Sequence, residues 1–150
     1  MSQFVRFSKK DNVEFVKTVK SRVNTYFKEN NLSKFGNYKM VLKSIFMLSL
    51  YLIPYSFMVT ADFENNWMYI LLWVIMGIGM SGIGLSIMHD AIHGSYSKHR
   101  WINKMMGSVI YIVGANALNW RIQHNVMHHT YTNIDGLDDD IKGPVAILRF

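Results

Sequence analysis

Two long apolar runs dominate the pattern of hydrophobic and polar positions along the chain. Residues 41–61 carry a single charge, Lys43 near one end, and residues 67–88 carry none. The second run has 22 residues, and a helix of about 20 apolar residues crosses a hydrocarbon core of roughly 30 Å. Only residues 62–66 separate the two runs. The pattern therefore predicts a transmembrane helical hairpin.

An amphipathic pattern precedes these runs. Within residues 11–29, apolar side chains recur at roughly helical spacing, at Val13, Val16, Val19, Val23 and Phe27. Asp11 or Asn12 is placed to cap the start of this helix. A basic amphipathic helix with an aromatic end is typical of a membrane-surface element, and it is equally consistent with a cytosolic helix packed on the rest of the protein.

The third apolar stretch, residues 105–118, is too short to span a bilayer. Its 14 residues would cover about 21 Å as a helix, so we expect an interfacial or re-entrant segment. Within residues 67–88, small residues that allow a second helix to approach closely recur at Gly77, Gly79, Gly82 and Gly84. The predicted fold is an all-α membrane protein, with a basic cytosolic segment at 1–40 and the membrane domain at 41–150.

The distribution of charge indicates the partner and the orientation. The net charge is +6, and residues 1–43 hold ten of the sixteen Lys and Arg residues against three acids. A basic chain can indicate nucleic-acid binding, but charge beside apolar runs is typical of a membrane surface. We therefore expect a lipid bilayer as partner and no nucleic acid. Since residues 62–66 contain no Lys or Arg, the positive-inside rule places the N-terminus and the segment after Met88 in the cytoplasm.

Five of the six histidines fall into two clusters, which are the candidate chemistry of the chain. The first cluster is His89 and His93, and the second is His124, His128 and His129. Imidazole is the commonest protein metal ligand and suits iron, zinc, copper and nickel. The chain contains no cysteine, so nitrogen and oxygen would have to hold any metal.

The spacing within the clusters favours two metal ions over one. Histidines four residues apart share a helix face, whereas His129 follows His128 directly and is turned by about 100° around the axis. Asp90 is well placed to orient a ligand imidazole through its other ring nitrogen. His99, alone in a basic loop, and the acidic residues 135 and 138–140 are expected to be solvated.

At these residues the sequence resembles the membrane fatty acid desaturases. HDAIH at 89–93 is similar to the first histidine box of that family and HNVMHH at 124–129 to the second. The following YTNIDGLDDDI resembles the bacterial acyl-lipid and linoleoyl-CoA desaturase-like branch, which includes front-end desaturases. The resemblance covers roughly residues 30–145.

The resemblance implies a non-haem di-iron centre that faces the cytoplasm of a multi-pass protein, in the inner membrane of a bacterium. The iron ligands it implies are His89, His93, His124, His128 and His129. With O2 as co-substrate, the enzyme would introduce a cis double bond into an acyl-CoA or acyl-lipid. The acyl chain would lie in an apolar tunnel lined by the glycine-rich span and residues 105–118. Electrons would come from a separate donor of the ferredoxin or cytochrome type.

The family pattern also contains a third histidine box and a second pair of spans, which this sequence does not contain. We therefore expect the chain to be the N-terminal part of a four-span desaturase and to be inactive alone. Two alternatives remain open at this point. A related membrane hydroxylase would use the same ligands, and a non-catalytic membrane protein could bind metal or haem through the same histidines.

Overall fold

A computed structural model describes residues 5, 7 and 12–141 of the chain, which divides into two compact units, Met1–Lys34 and Phe35–Phe150. Every regular element within the described residues is helical, so the predicted all-α class is confirmed for that part of the chain. The first unit contains helix α1, Val13–Glu29. Asn12 precedes α1 with a left-handed φ of 60° and makes no side-chain cap, and Asp11 lies outside the described residues.

The second unit begins with a helical hairpin. Helix α2, Tyr38–Thr60, starts where the Asn37 side chain accepts a hydrogen bond from the backbone N–H of Lys39. Helix α3, Asn66–Gly82, starts at an equivalent cap, in which Asn65 accepts from the N–H of Trp67. Such caps satisfy amide groups that have no partner in the first turn.

The second helix of the hairpin does not end where the apolar run ends. After α3 it continues as a π-helical segment, Ile83–Met88, and then as a short α-helix, α4, His89–Ile92. The N–H of His89 donates to the carbonyl of Gly84, five residues back. As a result, His89 lies within the helix rather than beyond its end. Among the residues that the structure describes, two helices are long and apolar enough to cross a membrane, Tyr38–Thr60 and Asn66–Ile92.

Two of the four glycines allow α2 and the second helix to approach closely. A β-carbon at Gly79 would lie 2.7 Å from the backbone nitrogen of Tyr51 and 2.9 Å from the carbonyl carbon of Leu50. A β-carbon at Gly82 would overlap the Met47 side chain. Around Gly77 and Gly84, in contrast, no described atom outside the glycine's own helix backbone and neighbouring residues lies within 4 Å of such a β-carbon. The expected close approach is therefore correct for Gly79 and Gly82 alone.

Substituting Gly79 tests this packing. Gly79→Ala should lower the free energy of unfolding by about 1–3 kcal/mol, because backbone atoms of α2 cannot move aside as a flexible side chain would. Gly77→Ala is the matched control. It should be neutral or stabilising by up to about 1 kcal/mol, since alanine is the better helix former. Both values can be measured by denaturant titration in mixed micelles, and equal effects would contradict the assignment.

The stretch predicted as one interfacial segment at 105–118 is divided in the structure. Helix α5, Arg100–Ser108, passes into a 3₁₀ turn at Val109–Val113, which ends at Gly114 with φ 79°. Glycine commonly ends helices in this left-handed conformation. Asn116 then caps the next helix, α6, Ala117–Trp120. The chain thus changes direction before the second histidine cluster.

A small buried core joins these elements. Ile83, Ile87, Ala91 and Tyr96 are buried together. The Tyr96 hydroxyl shares a hydrogen bond of 2.9 Å with the buried Ser44 hydroxyl of α2. Most of the apolar surface of α2 and α3 is exposed, including Trp73, and so is Leu85 of the π-helical segment. Apolar surface of this extent on a helical hairpin is consistent with contact with lipid.

Candidate metal centre

The first histidine cluster is held by the loop that follows it. The Asp90 carbonyl accepts hydrogen bonds from the backbone N–H groups of Ser95 and Tyr96, at 2.9 and 3.2 Å. The Ser95 carbonyl in turn accepts from the N–H of Gly36, just before α2. The side-chain amide of Asn103 on α5 donates to the Gly94 carbonyl at 3.3 Å. These bonds fix the end of α4 against the starts of α2 and α5.

Of the second cluster, His124 and His128 lie in a second π-helical segment, Arg121–His128, which follows α6 directly, and His129 begins the short helix α7, His129–Tyr131. The N–H of His129 donates to the carbonyl of His124, five residues back. In this wider turn, the residues four and five positions on lie to either side of the first residue. The rings of His128 and His129 accordingly both lie 5.1 Å from the ring of His124. Helix widening thus lets two adjacent histidines contact the same neighbour.

The structure brings all five predicted ligands into one cluster. The His89 ring lies 4.5 Å from that of His93 and 5.1 Å from that of His124. The His93 ring lies 5.4 Å from His124 and 4.9 Å from His129. His124 therefore contacts all four other imidazoles. His99, expected to be solvated, is exposed at the start of α5.

Three carboxylates contact the Nδ1 atoms of three of these rings. Asp90 lies 3.2 Å from His89, as expected for an orienting carboxylate, Asp138 lies 3.0 Å from His128, and Asp140 contacts His124. An ionised carboxylate only accepts hydrogen bonds, so it holds the ring proton on Nδ1 and leaves the Nε2 lone pair available. This arrangement is typical of metal-binding histidines.

The expectation that residues 138–140 form a solvated turn is wrong for Asp138. Its side chain is fully buried and accepts from the N–H groups of Asn133 at 2.8 Å and Asp140 at 3.1 Å, besides His128. Burial acts to raise the pKa of Asp138, but these hydrogen bonds and the nearby imidazole outweigh it, so the pKa lies below its ordinary value. Asp138 is therefore ionised at neutral pH and organises the turn after the second cluster.

A sequence signal for these two acids was available. Asp138 and Asp140 belong to YTNIDGLDDDI, the segment through which the sequence resembles desaturases, and they lie five and seven residues after Asn133. The intervening chain turns back through Asn133 and Gly136, which have φ angles of 64° and 79°. Asn and Gly tolerate this left-handed conformation best. The motif therefore fixes both the turn and the carboxylates that the turn carries back to the histidines.

The electrostatics of the cluster favour the neutral form of His93. Desolvation lowers the pKa of His93, and the three neighbouring imidazoles lower it further, whereas Asp90 opposes them. A histidine whose pKa lies below 6.5 is mostly uncharged at neutral pH. The neutral ring is the form that binds metal.

The residues present fit a metal. The potential ligand atoms of His89, His93 and His124 lie within 4.8 Å of one another, and so do those of His124, His128 and Asp140. His124 belongs to both groups. Its Nε2 atom is buried and has no hydrogen-bond partner within the part of the chain that the structure describes. A buried polar atom without a partner is costly, and a metal ion bound there would remove that cost.

An open cavity of about 490 Å³ adjoins the first cluster. Its apolar wall includes Ala91, Ile92 and Leu118, and Arg100, Lys104 and Arg121 also line it. The tunnel was expected between the glycine-rich span and residues 105–118. The cavity is lined by the end of α4, by α5 and by α6, and Gly107, Ser108, Tyr111, Ala117 and Leu118 belong to the segment 105–118 that the resemblance implies for the tunnel. The glycine-rich span contributes none of its lining residues, and the tunnel itself stays a prediction.

Comparisons with known proteins agree on one family. The family model described as fatty acid desaturase matches residues 65–146. The chain is 37% identical over 131 residues to the sn-1 linoleoyl-lipid 6-desaturase of Arthrospira platensis, which covers 87% of this chain and 35% of the relative. It is 37% identical over 140 residues to the acyl-lipid (8-3)-desaturase of Physcomitrium patens, covering 92% and 28%.

A second cyanobacterial relative is similar. The sn-1 linoleoyl-lipid 6-desaturase of Synechocystis is 32% identical over 133 residues, with 89% of this chain and 37% of the relative covered. The chain thus spans about a third of the length of these curated relatives. No solved structure matches it significantly. Together with the two long apolar helices, the matches point to a membrane protein. The chain belongs to the fatty acid desaturase family.

Proposed function

We propose that the protein carrying this chain is an oxygen-dependent fatty acyl desaturase with a histidine-held, non-haem di-iron centre. It introduces a cis double bond into an acyl-CoA or acyl-lipid. The observation that carries the proposal is the convergence of five imidazoles, three of which have Nδ1 bonded to a carboxylate. Membership of the desaturase family supports the same reaction.

The five histidines of the two clusters act as metal ligands, and Asp90, Asp138 and Asp140 orient three of them. Imidazole nitrogens suit iron, and the chain has no thiolate that would favour an iron–sulfur cluster. When bound, iron supplies the oxygen chemistry that removes two hydrogens from an unactivated acyl chain. Five imidazoles are too few for two irons, so we propose that the complete protein supplies further ligands outside this chain.

The cavity beside α4 is the proposed entrance for the acyl substrate. Its apolar wall suits methylene groups, and Arg100, Lys104 and Arg121 suit a polar head. The relatives' names include acyl-lipid and linoleoyl-lipid desaturases, which favours a lipid-linked acyl chain. An apolar channel that excludes water would hold one pair of methylenes near the metals.

The charges of the chain support one orientation of the site. Lys and Arg flank the hairpin on the side of the N-terminus and of the segment after Met88, and the link between α2 and α3 has neither. We therefore propose a multi-pass protein of a bacterial inner membrane, with the histidines on the cytoplasmic face. A ferredoxin- or cytochrome-type donor would reach the site there, and the basic surface would attract an acidic donor.

The proposal is tested with the complete gene product, expressed in a bacterium and purified in detergent. We expect about two irons per protein by elemental analysis and new cis double bonds in cellular acyl chains by gas chromatography–mass spectrometry. Hydroxylated acyl chains would indicate the related hydroxylase instead. A Soret absorption band, or purified protein without iron, would contradict a di-iron desaturase and favour a haem- or metal-binding membrane protein.

A further inference from the structure

Within the residues that the structure describes, most side chains of the apolar face of helix α1 are exposed. Phe15 is 68% exposed, Val19 41% and Tyr26 57%, and no residue of α1 is buried. Single exposed apolar side chains are common on protein surfaces, but a contiguous stripe of them marks an interaction surface. The proposed reaction gives no reason for this exposed stripe, so a separate partner for it has to be sought.

The face is narrow and continuous. At 3.6 residues per turn, six apolar residues fall within an arc of about 120° around the helix axis, and they are Phe15, Val16, Val19, Val23, Tyr26 and Phe27. Val13, in the first turn, lies outside this arc and beyond Lys20. Ser21 and Thr25 lie on the opposite side. The arc excludes every charged residue of the helix. Such separation of apolar and polar residues is typical of an amphipathic helix that lies in the interface of a bilayer.

The cations of α1 lie where a bilayer surface would place them. Lys20 borders one edge of the apolar arc and Arg22 borders the other. Their long stems can run along apolar surface while their charged heads stay in water. The helix carries four cations, Lys17, Lys20, Arg22 and Lys28, against two acids, Glu14 and Glu29. An excess of positive charge at the boundary favours anionic lipid.

The connection to α2 keeps α1 near a membrane. Nine peptide steps separate Glu29 from Tyr38, where α2 begins, so a fully extended link spans at most about 30 Å. Helix α2 is long and apolar enough to cross a bilayer. If Tyr38 lies at the bilayer surface, α1 is within reach of that surface.

We propose that α1 lies flat on the surface of an anionic bilayer, with its apolar arc immersed and Lys20 and Arg22 at the headgroups. The inference goes beyond the proposed desaturase activity and does not depend on it. It rests on the exposed arc, the two bordering cations and the short link to α2.

These 150 residues contain no cysteine, so single cysteines can serve as specific labelling sites once any cysteine elsewhere in the complete protein has been replaced by serine. Single cysteines at Val19→Cys, inside the arc, and Ser21→Cys, opposite it, each carry a nitroxide in the full-length protein. The protein is reconstituted into phosphatidylcholine vesicles with and without phosphatidylglycerol. Power-saturation electron paramagnetic resonance then compares access of oxygen, which concentrates in the bilayer, with access of a water-soluble nickel chelate.

In anionic vesicles we expect the Val19 label to favour oxygen and the Ser21 label to favour the nickel chelate. Two results would overturn the proposal. If the Val19 label is shielded from both reagents, protein covers the arc. If the Val19 label is as accessible to the nickel chelate as the Ser21 label, the arc is exposed to water.

The charge contribution is tested by adding Lys20→Gln and Arg22→Gln to the Val19 label. Each cation near an anionic surface favours the bound state about 5-fold, so the double change should lower the ratio of immersed to free α1 about 25-fold. In phosphatidylcholine alone the two proteins should behave alike. Equal immersion of both proteins in the anionic vesicles would contradict the role of the cations.

Discussion

Replacing His124 by alanine should abolish desaturation by the complete protein and cause the largest loss of metal of any single histidine. His124 contacts the other four imidazoles and belongs to both groups of close ligand atoms. Removing a residue that only hydrogen-bonds to a metal ligand lowers metal affinity roughly 10–100-fold. Removing a ligand that belongs to both groups should lower metal affinity by more. Iron content by elemental analysis and product formation by mass spectrometry measure the two effects.

His99→Ala is the matched control for that substitution. His99 is the same residue type, is exposed and lies at the start of α5. We expect normal iron content and normal activity in this variant. Circular dichroism should show equal helix content for both variants, which separates loss of metal from loss of fold. A His124→Ala protein that keeps its full complement of iron would remove His124 from the ligand set.

The second large effect is expected at Asp138. Asp138→Asn keeps the shape of the side chain but replaces one acceptor oxygen by an NH2 group. Three donors meet the Asp138 carboxylate: the Asn133 N–H, the Asp140 N–H and His128 Nδ1. In the variant, the new NH2 group would lie opposite one of these donors, and that donor would lose its acceptor. We expect metal affinity to fall roughly 10–100-fold, measured by competition with a chromophoric chelator.

The same substitution should loosen the turn that contains Asp138. Hydrogen–deuterium exchange of residues 131–141 should become faster. Added metal should slow this exchange less than in the parent protein, because the Asp138 carboxylate bonds both to the proposed ligand His128 and to the backbone of the turn. Asp62→Asn is the control, since Asp62 is exposed in the link between α2 and α3. Unchanged exchange and affinity in Asp138→Asn would mean that the buried charge does not orient His128.

Much of the fold follows from the apolar pattern. The hairpin could be predicted because runs as long as residues 67–88 without charge have few other stable forms. The five histidines could be selected because imidazoles four residues apart share a helix face in the α-helix and remain neighbours in the π-helix. His99 lacks such a partner, and the structure leaves it exposed.

Other features were not predictable from periodicity. The two π-helical segments add a residue to a turn without changing the apolar pattern, so nothing at Ile83–Met88 or Arg121–His128 signals them. The burial of Asp138 depends on a turn that brings the chain back onto His128. An acidic run is usually solvated, and burial of a carboxylate is favourable only where donors meet it. Here the Asp140 N–H is close in sequence, but the turn is needed to bring the Asn133 N–H and His128 Nδ1 to Asp138.

The π-helical form of Arg121–His128 has a consequence for insertions and deletions. Because the wide turn contains one residue more than an α-helical turn, removing one residue there would restore a regular helix and keep every histidine in the sequence. The two histidines at its end would nevertheless rotate by about 100° relative to α6. The cluster therefore depends on the number of residues in this segment as much as on their identity, and an aligned sequence with the same histidines and a single gap here would describe a different site.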